Sequence, residues 1–285
     1  MAAKGDKKGG WGVIVSASRR CDLPAFGMEY LLQRLREGYA YSQNPYNPRQ
    51  RKLVSLREPE LSGLVFWTKN PKPLLENLGA LEGLPFYVQC TITPYGRDVE
   101  PNIPPWEAVA AAVRGLSQAL GKERLLWRYD PILLNPVYDA KRHWADFARM
   151  AAALEGAVDG CTLSFVDRYR CNQAALRALG VREPTEQVLL ELAAGLARLA
   201  AEHGIGLHAC CETPKLRQVG IEPAACIDQR RLSRIAGRAL QEGRDPNQRP
   251  GCGCARSVDI GWYDSCPGGC AYCYANRGKA RFAKE

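Results

Sequence analysis

Between residues 12 and 212, short β-forming runs alternate with stretches that carry apolar residues at helical spacing. The runs are GVIVSAS, LVFWTKN, PFYVQCTIT, RLLWRYDPI, GCTLSFVD and IGLHACCE. Helices are expected between them over 25–37, 73–79, 106–120, 139–154, 172–179 and 186–203. A strand that is followed by a helix cannot return through a tight hairpin. Parallel pairing with right-handed crossovers is what remains. The fold class expected is therefore α/β: a partial or distorted parallel (β/α) barrel.

Polar residues collect at the C-terminal ends of these runs: Ser18 and Arg19, Lys69 and Asn70, Thr91 and Thr93, Arg128 and Asp130, Ser164 and Asp167, His208 and Glu212. In a parallel β/α fold those ends share one face, where active sites are built. Ser, Thr and Asp there are also explained as loop starters and helix caps. Arg19, Lys69, Arg128, Asp130, His208 and Glu212 are the candidate catalytic residues, with Arg128–Asp130 as a structural ion pair and His208 as a packed core histidine the bland alternatives.

After Glu212 the alternation decays. One more helix is expected within 225–238, and the remainder is rich in Gly, Pro and Cys, with too little apolar periodicity for a core of its own. Such a segment orders by packing on a neighbour and by binding metal. The expected organisation is a barrel core over 1–212 and a Cys-rich extension over 213–285 folded onto it.

Eight of the twelve cysteines lie between Cys210 and Cys273. Clustered thiols in a chain of this size, with no secretory leader, point to metal rather than to a disulfide scaffold. DSCPGGCAYCYAN holds Cys266, Cys270 and Cys273 at C-x3-C-x2-C spacing. Thiolates favour iron–sulfur clusters, zinc or Cu(I), and closed structural zinc wants four ligands. Three thiolates suit a [4Fe–4S] cluster with one iron open; a zinc knuckle with a distant fourth ligand is the alternative. Cys211, Cys226, Cys252 and Cys254 make a second set, fit for a fully ligated [4Fe–4S] cluster or closed zinc, with Cys210 as the alternative to Cys211. Cys21, Cys90, Cys161 and Cys171 stand outside both sets.

The tail motif resembles the cluster motif of radical S-adenosylmethionine enzymes, in which the nucleotide chelates the open iron, and Tyr272 resembles the aromatic residue before their last cysteine. Over nearly its whole length the chain resembles the family catalogued as domain of unknown function 1848. SRRCDLPAF, FWTKNPKPLL, VQCTITPYGRDVEP, WRYDPI, LSFVDRY, ACIDQ, QRPGCGCARSVDIGWYDSC and GCAYCYAN carry the likeness. The resemblance implies a radical-type barrel rearranged so that the tail brings its cluster to the active face. It implies metal ligation by both cysteine sets, and Cys21 departs from the family's usual Thr. It supplies no substrate. The implied cofactors are [4Fe–4S] clusters and S-adenosylmethionine, with electrons from a donor such as flavodoxin or ferredoxin. Lys69, Asn70, Arg128 and Tyr272 are the candidate cofactor-binding residues.

Charge and composition limit the rest. With 46% hydrophobic and 24% charged residues the chain is of soluble globular type, and no apolar run nears the ~20 residues of a membrane span. The short apolar run after MAAKGDKKGG is too brief for a leader, so a cytoplasmic location is expected. The formal charge of +9 is spread along the chain, without Lys/Arg blocks. A nucleic-acid-binding module with a structural cluster or zinc, and an electron-transfer or redox protein, are the other functional classes. Nucleic acid is accordingly a further candidate partner.

Overall fold

A strand buried on both faces needs cover on both, and this sheet obtains it from two different parts of the chain. The computed structural model describes residues 12–47 and 49–276. In chain order, β1 (Val13–Ala17) leads through α1 (Leu23–Phe26) and α2 (Met28–Glu37) to a hairpin of β2 (Tyr39–Gln43) and β3 (Arg51–Ser55). β4 (Leu61–Thr68), α3 (Lys72–Glu76), β5 (Phe86–Thr91), α4 (Trp106–Leu120), β6 (Leu125–Ile132), α5 (Ala140–Leu154) and β7 (Cys161–Phe165) follow. Then come α6 (Gln173–Ala178), α7 (Glu186–Glu202), β8 (Leu207–Ala209), β9 (Glu222–Pro223), α8 (Gln229–Ala236) and β10 (Ser257–Asp259).

Eight strands form one sheet in the order β10-β1-β4-β5-β6-β7-β8-β9, parallel at every pairing. β2 and β3 pair antiparallel outside it. The six predicted runs are β1 and β4 to β8. Among the described residues no ladder joins β9 to β10, so the sheet keeps two edges and the barrel is not closed. The segment after Glu212 supplies both of those edge strands.

Successive side chains of a strand point to opposite faces. On one face Val15, Phe66, Val88, Trp127 and Leu163 share a core with Leu116 of α4, Phe147 of α5 and Leu196 of α7. On the other, Ile14, Val65, Tyr87 and Leu126 pack against Ile227, Leu232 and Leu240. The C-terminal segment thus covers one face of the sheet as the long helices cover the other. Leu232 of α8 sits so close to β4 that a Cβ on Gly63 would meet its side chain at 2.9 Å.

The helix ends follow local chemistry. Asp139, Thr185 and Asp228 cap α5, α7 and α8 through their side chains. The single helix expected over 25–37 is split, because Gly27 closes α1 and opens α2. Among the described residues no helix is long and apolar enough to cross a membrane.

Candidate functional site

The tail reaches the C-terminal ends of the strands because buried polar groups hold it there. Asp259, the last residue of β10, accepts from Ser16 and Ser18 hydroxyls at 2.8 and 2.7 Å, and from the Arg19 and Gly261 amides at 2.8 and 2.9 Å. A buried carboxylate with four donors is satisfied and fixes the chain that leaves it. Beyond it, the Tyr274 hydroxyl donates to the Arg19 carbonyl at 2.5 Å, Asn172 Nδ2 donates to the Tyr272 carbonyl at 2.8 Å, and Asn102 Nδ2 to the Pro267 carbonyl at 2.8 Å. The loop from Cys266 to Cys270 turns through Gly269 at φ +70°, a left-handed conformation that glycine adopts without strain.

This loop gathers Cys266, Cys270 and Cys273 against β4 and β5. The Asp22 and Gly268 amides aim at the Cys266 sulfur, and the Ala275 and Asn276 amides at the Cys273 sulfur. Burial raises all three thiols above the ordinary cysteine value. Beside them stands Lys69, just past β4. Its Nζ lies 2.9 Å from Glu100 Oε1, 3.3 Å from Thr93 Oγ1 and 5.5 Å from the centre of the Tyr272 ring. The Lys69 and Glu100 side chains are only 13% and 4% exposed. Glu100 also accepts from Thr93 at 2.7 Å and from the Tyr272 hydroxyl. Asp22 takes the Lys69 amide at 2.7 Å, and burial lifts its carboxyl to about 6. Asn70 spends its side chain on the turn into α3, accepting from the Lys72 amide at 3.3 Å.

A second polar layer crosses the same face of the sheet, nearer its middle. Arg128 of β6 donates to Cys226 Sγ at 3.0 Å, to Asp130 Oδ2 through Nε at 2.9 Å, and stacks 5.1 Å over the Trp67 ring. Burial alone would lift the Asp130 carboxyl, but the Arg128 guanidinium prevails and holds it below the usual carboxylate value. Ser164 donates to the other Asp130 oxygen. The Cys226 carbonyl accepts from Tyr87 at 2.5 Å and Gln89 at 2.8 Å, leaving Gln89 Oε1 buried without a partner.

Five thiols meet here, one more than the set of four. Cys226 and Cys210 sulfurs are 3.3 Å apart, the Ile227 amide donates to Cys254 Sγ at 3.3 Å, and Cys211 and Cys252 interact. Cys211 has φ 55°, so the chain past β8 abandons strand alternation and neither neighbour is turned away. Glu212 accepts the Phe165 amide at 2.8 Å, and burial lifts it to about 7. Arg19 leans on Asp259 at 3.9 Å. His208 opens neither to the tail thiols nor to Arg128; it lines a separate cavity with Thr162 and Leu126.

Among the described residues no three His, Cys, Asp or Glu are arranged to hold a single metal ion. A cubane cluster asks something different, one thiolate for each of several irons, with hydrogen bonds to the sulfurs. Amides aimed at Cys266, Cys273 and Cys254, with Arg128 on Cys226, match that donor chemistry. Glu100, Asp22, Asp259 and Gln89 are not among the residues that the sequence singles out, and Cys210, the alternative to Cys211, joins the second set beside it. Isolated acids in loops carry no spacing signal, although VQCTITPYGRDVEP and SRRCDLPAF contain two of them. Cys171 also proves to be a neighbour, its Sγ 3.4 Å from the Tyr274 carbonyl and 3.9 Å from that of Cys273.

The sequence profile of the family described as Domain of unknown function (DUF1848) matches residues 14–275. No curated protein matches the chain. Among solved structures it is similar to HydG, a maturase of the [FeFe]-hydrogenase, at 12% identity and a TM-score of 0.37. That match covers 74% of this chain and 56% of the maturase, so the chain spans about half the length of the protein it matches.

Proposed function

We propose, for a chain that belongs to the DUF1848 family, that it is an iron–sulfur enzyme of a rearranged radical S-adenosylmethionine type. In this reading the sheet is a partial β/α barrel, and Cys266, Cys270 and Cys273 carry a [4Fe–4S] cluster from the tail. The observation that supports it is the grouping of those three thiols with one another, Cys270 lying beside buried Lys69 and Glu100, which follow β4 and β5 in the chain. A cluster held by Cys266, Cys270 and Cys273 would supply one-electron reduction of the sulfonium of S-adenosylmethionine and so radical chemistry on an unidentified substrate. A reduced flavodoxin or ferredoxin is the electron donor.

The chain's own residues then have distinct tasks. Glu100 holds the Lys69 side chain in place beside Cys270, where its ammonium faces an incoming carboxylate. Tyr272, donating to Glu100, locks the loop that carries the thiols. Arg128 is engaged by Asp130 and Cys226, so its task is to support the second cysteine set, which holds a fully ligated cluster. Arg19 and Glu212 flank the face on the β1 and β8 sides, and Asn70 orders the turn that follows Lys69.

Anaerobically purified protein should contain about seven to eight irons and a similar amount of sulfide. S-adenosylmethionine should alter the electron paramagnetic resonance spectrum of the reduced tail cluster, and strong reductant should release 5′-deoxyadenosine. Cys270→Ala should abolish both while keeping the second cluster. A wild-type spectrum indifferent to the nucleotide, with no cleavage product, sinks the reading.

One observation favours a second reading. Cys171 lies against the backbone of Cys273 and Tyr274, and a fourth thiolate from it would close the tail cluster, leaving an electron carrier. Under that reading Cys171→Ser creates a response to S-adenosylmethionine that the wild type lacks. Under the enzyme reading the response is already present and survives the substitution.

A further inference from the structure

On the face of the sheet that carries Tyr87, toward the N-terminal ends of β6 to β8, lies a cavity of about 490 Å³. None of the tail thiols lines it, and it has a separate chemistry. Leu126, Thr162 and His208, each the second residue of its strand, form its base. Ala224, Ile227 and Ala255 add apolar wall. Its size is in the range of small-molecule sites, which run to roughly 300–1,000 Å³.

The polar part of the lining is rich in donors. The guanidinium groups of Arg230, Arg231 and Arg244 border the cavity, against one carboxylate, Asp228. Asp228 is occupied with capping α8, its Oδ1 accepting the amides of Arg230 and Arg231 at 2.8 and 3.2 Å. Arg231 directs Nη1 to Asp159 and the Glu123 carbonyl at 2.7 and 2.6 Å and lies 5.8 Å over the Tyr87 ring, its buried Nε having no acceptor among the described residues. Arg244 uses its Nε on the Cys252 carbonyl at 2.8 Å. Among the described residues the exposed Arg230 guanidinium pairs with no carboxylate. Thr162, only 4% exposed, lines the cavity beside these residues. Even with Arg231 offset by Asp159, and Asp228 set against one arginine, a positive charge remains.

An excess of arginines over carboxylates around a cavity favours an anionic occupant. Guanidinium groups converging with a hydroxyl suit a tetrahedral oxyanion, which they bind through charge-assisted bonds. The apolar wall asks for an organic body on that anion. We propose that this cavity binds a phosphate monoester with a small apolar or planar organic part, its oxyanion held by Arg230, Arg231 and Thr162. The site stands whether or not the tail cluster performs radical chemistry.

The test is calorimetric titration of the anaerobically purified, iron-loaded protein with phenyl phosphate, inorganic phosphate and phenol. Phenyl phosphate should bind more tightly than inorganic phosphate, and phenol should not bind. Arg230→Gln, removing a guanidinium without touching the fold, should weaken phenyl phosphate about tenfold, the loss of one charge-assisted bond. Thr162→Val should weaken it severalfold. Arg231→Lys, which keeps a positive charge near Asp159 but loses the planar guanidinium, should also weaken it. Arg149→Gln, on the outer surface of α5, should change nothing. Iron content and the cluster spectrum should be the same in all four variants, which separates this site from the metal chemistry. No phenyl phosphate binding up to about 10 mM, a ceiling well above millimolar affinity, overturns the proposal. So does binding unchanged in both Arg230→Gln and Thr162→Val, and so does equal affinity for inorganic phosphate.

Discussion

Replacing Glu100 tests whether a single buried carboxylate holds the tail in place. Glu100 receives the Lys69 ammonium at 2.9 Å, the Thr93 hydroxyl at 2.7 Å and the Tyr272 hydroxyl; the ion pair joins the end of β4 to the segment after β5, and Tyr272 ties that segment to the thiol loop. Removing one partner of a buried pair leaves an uncompensated charge and costs about 3–5 kcal/mol. Glu100→Met should reach that range, because Lys69, 13% exposed, keeps only Thr93 and the Tyr272 ring. Glu100→Gln still offers an oxygen to the donors, so it should cost less, about 2–3 kcal/mol. At a slope of about 3 kcal/mol per molar urea for a chain this large, Glu100→Met lowers the unfolding midpoint by roughly 1 M. The assay is urea denaturation at matched iron content, followed by tryptophan fluorescence. Lys69→Met should cost less than Glu100→Met, since a stranded carboxyl can take up a proton. The double variant should be more stable than the sum of the singles predicts. A midpoint for Glu100→Met within about 0.5 kcal/mol of wild type, or strict additivity in the cycle, would refute the reasoning.

Three further outcomes follow from particular residues. His143 is buried between the Tyr129 hydroxyl at 2.7 Å and the Leu133 carbonyl at 2.9 Å, and burial holds its pKa below the ordinary histidine value. The unfolded chain takes up this proton near pH 6.5 and the folded one resists it, so stability is full above that pH and falls as the pH drops toward the folded value. The stability gap between wild type and His143→Gln should therefore narrow from about pH 7.5 to about pH 5.5; a constant gap contradicts the assignment. Cys252→Ala with Cys254→Ala should halve the iron measured per chain and lower the thermal midpoint, because metal binding is linked to folding. Gly269→Ala forces a side chain into φ +70° with Pro101 3.1 Å away, and should cost about 1–2 kcal/mol, read as a lower urea midpoint.

What the sequence made legible was whatever repeats or has a spacing. Long runs buried on both faces, such as LVFWTKN and RLLWRYDPI, announced β4 and β6. Helical periodicity placed α4 at Trp106–Leu120, residue for residue. The C-x3-C-x2-C spacing singled out the tail thiols. β10 was illegible because three residues in a Gly- and Cys-rich segment have no period, and it becomes a strand only through its neighbour β1. The β2–β3 hairpin stayed hidden because most of its positions are exposed or half-buried and present no apolar face. Glu100 and Asp259 act through partners brought from far along the chain. The pairing of Ser16 with Asp259 spans 243 residues, which no local pattern encodes. The fifth thiol of the second group was ambiguous for a different reason. Strand alternation permits only one of Cys210 and Cys211 to face inward, and the left-handed backbone at Cys211 suspends that rule.

That same span sets a schedule for biosynthesis. β1 leaves the ribosome well before Ser257–Asp259, the segment that pairs with its outer edge. At about 5–20 residues per second, the 243 intervening residues take roughly 12–50 s to make. Throughout that interval the first strand presents an unpaired edge, the kind of surface that templates wrong associations. The tail thiols arrive later still, after every strand of the sheet has been made. A product that lacks the C-terminal segment would keep both an open edge on β1 and an uncovered face of the sheet.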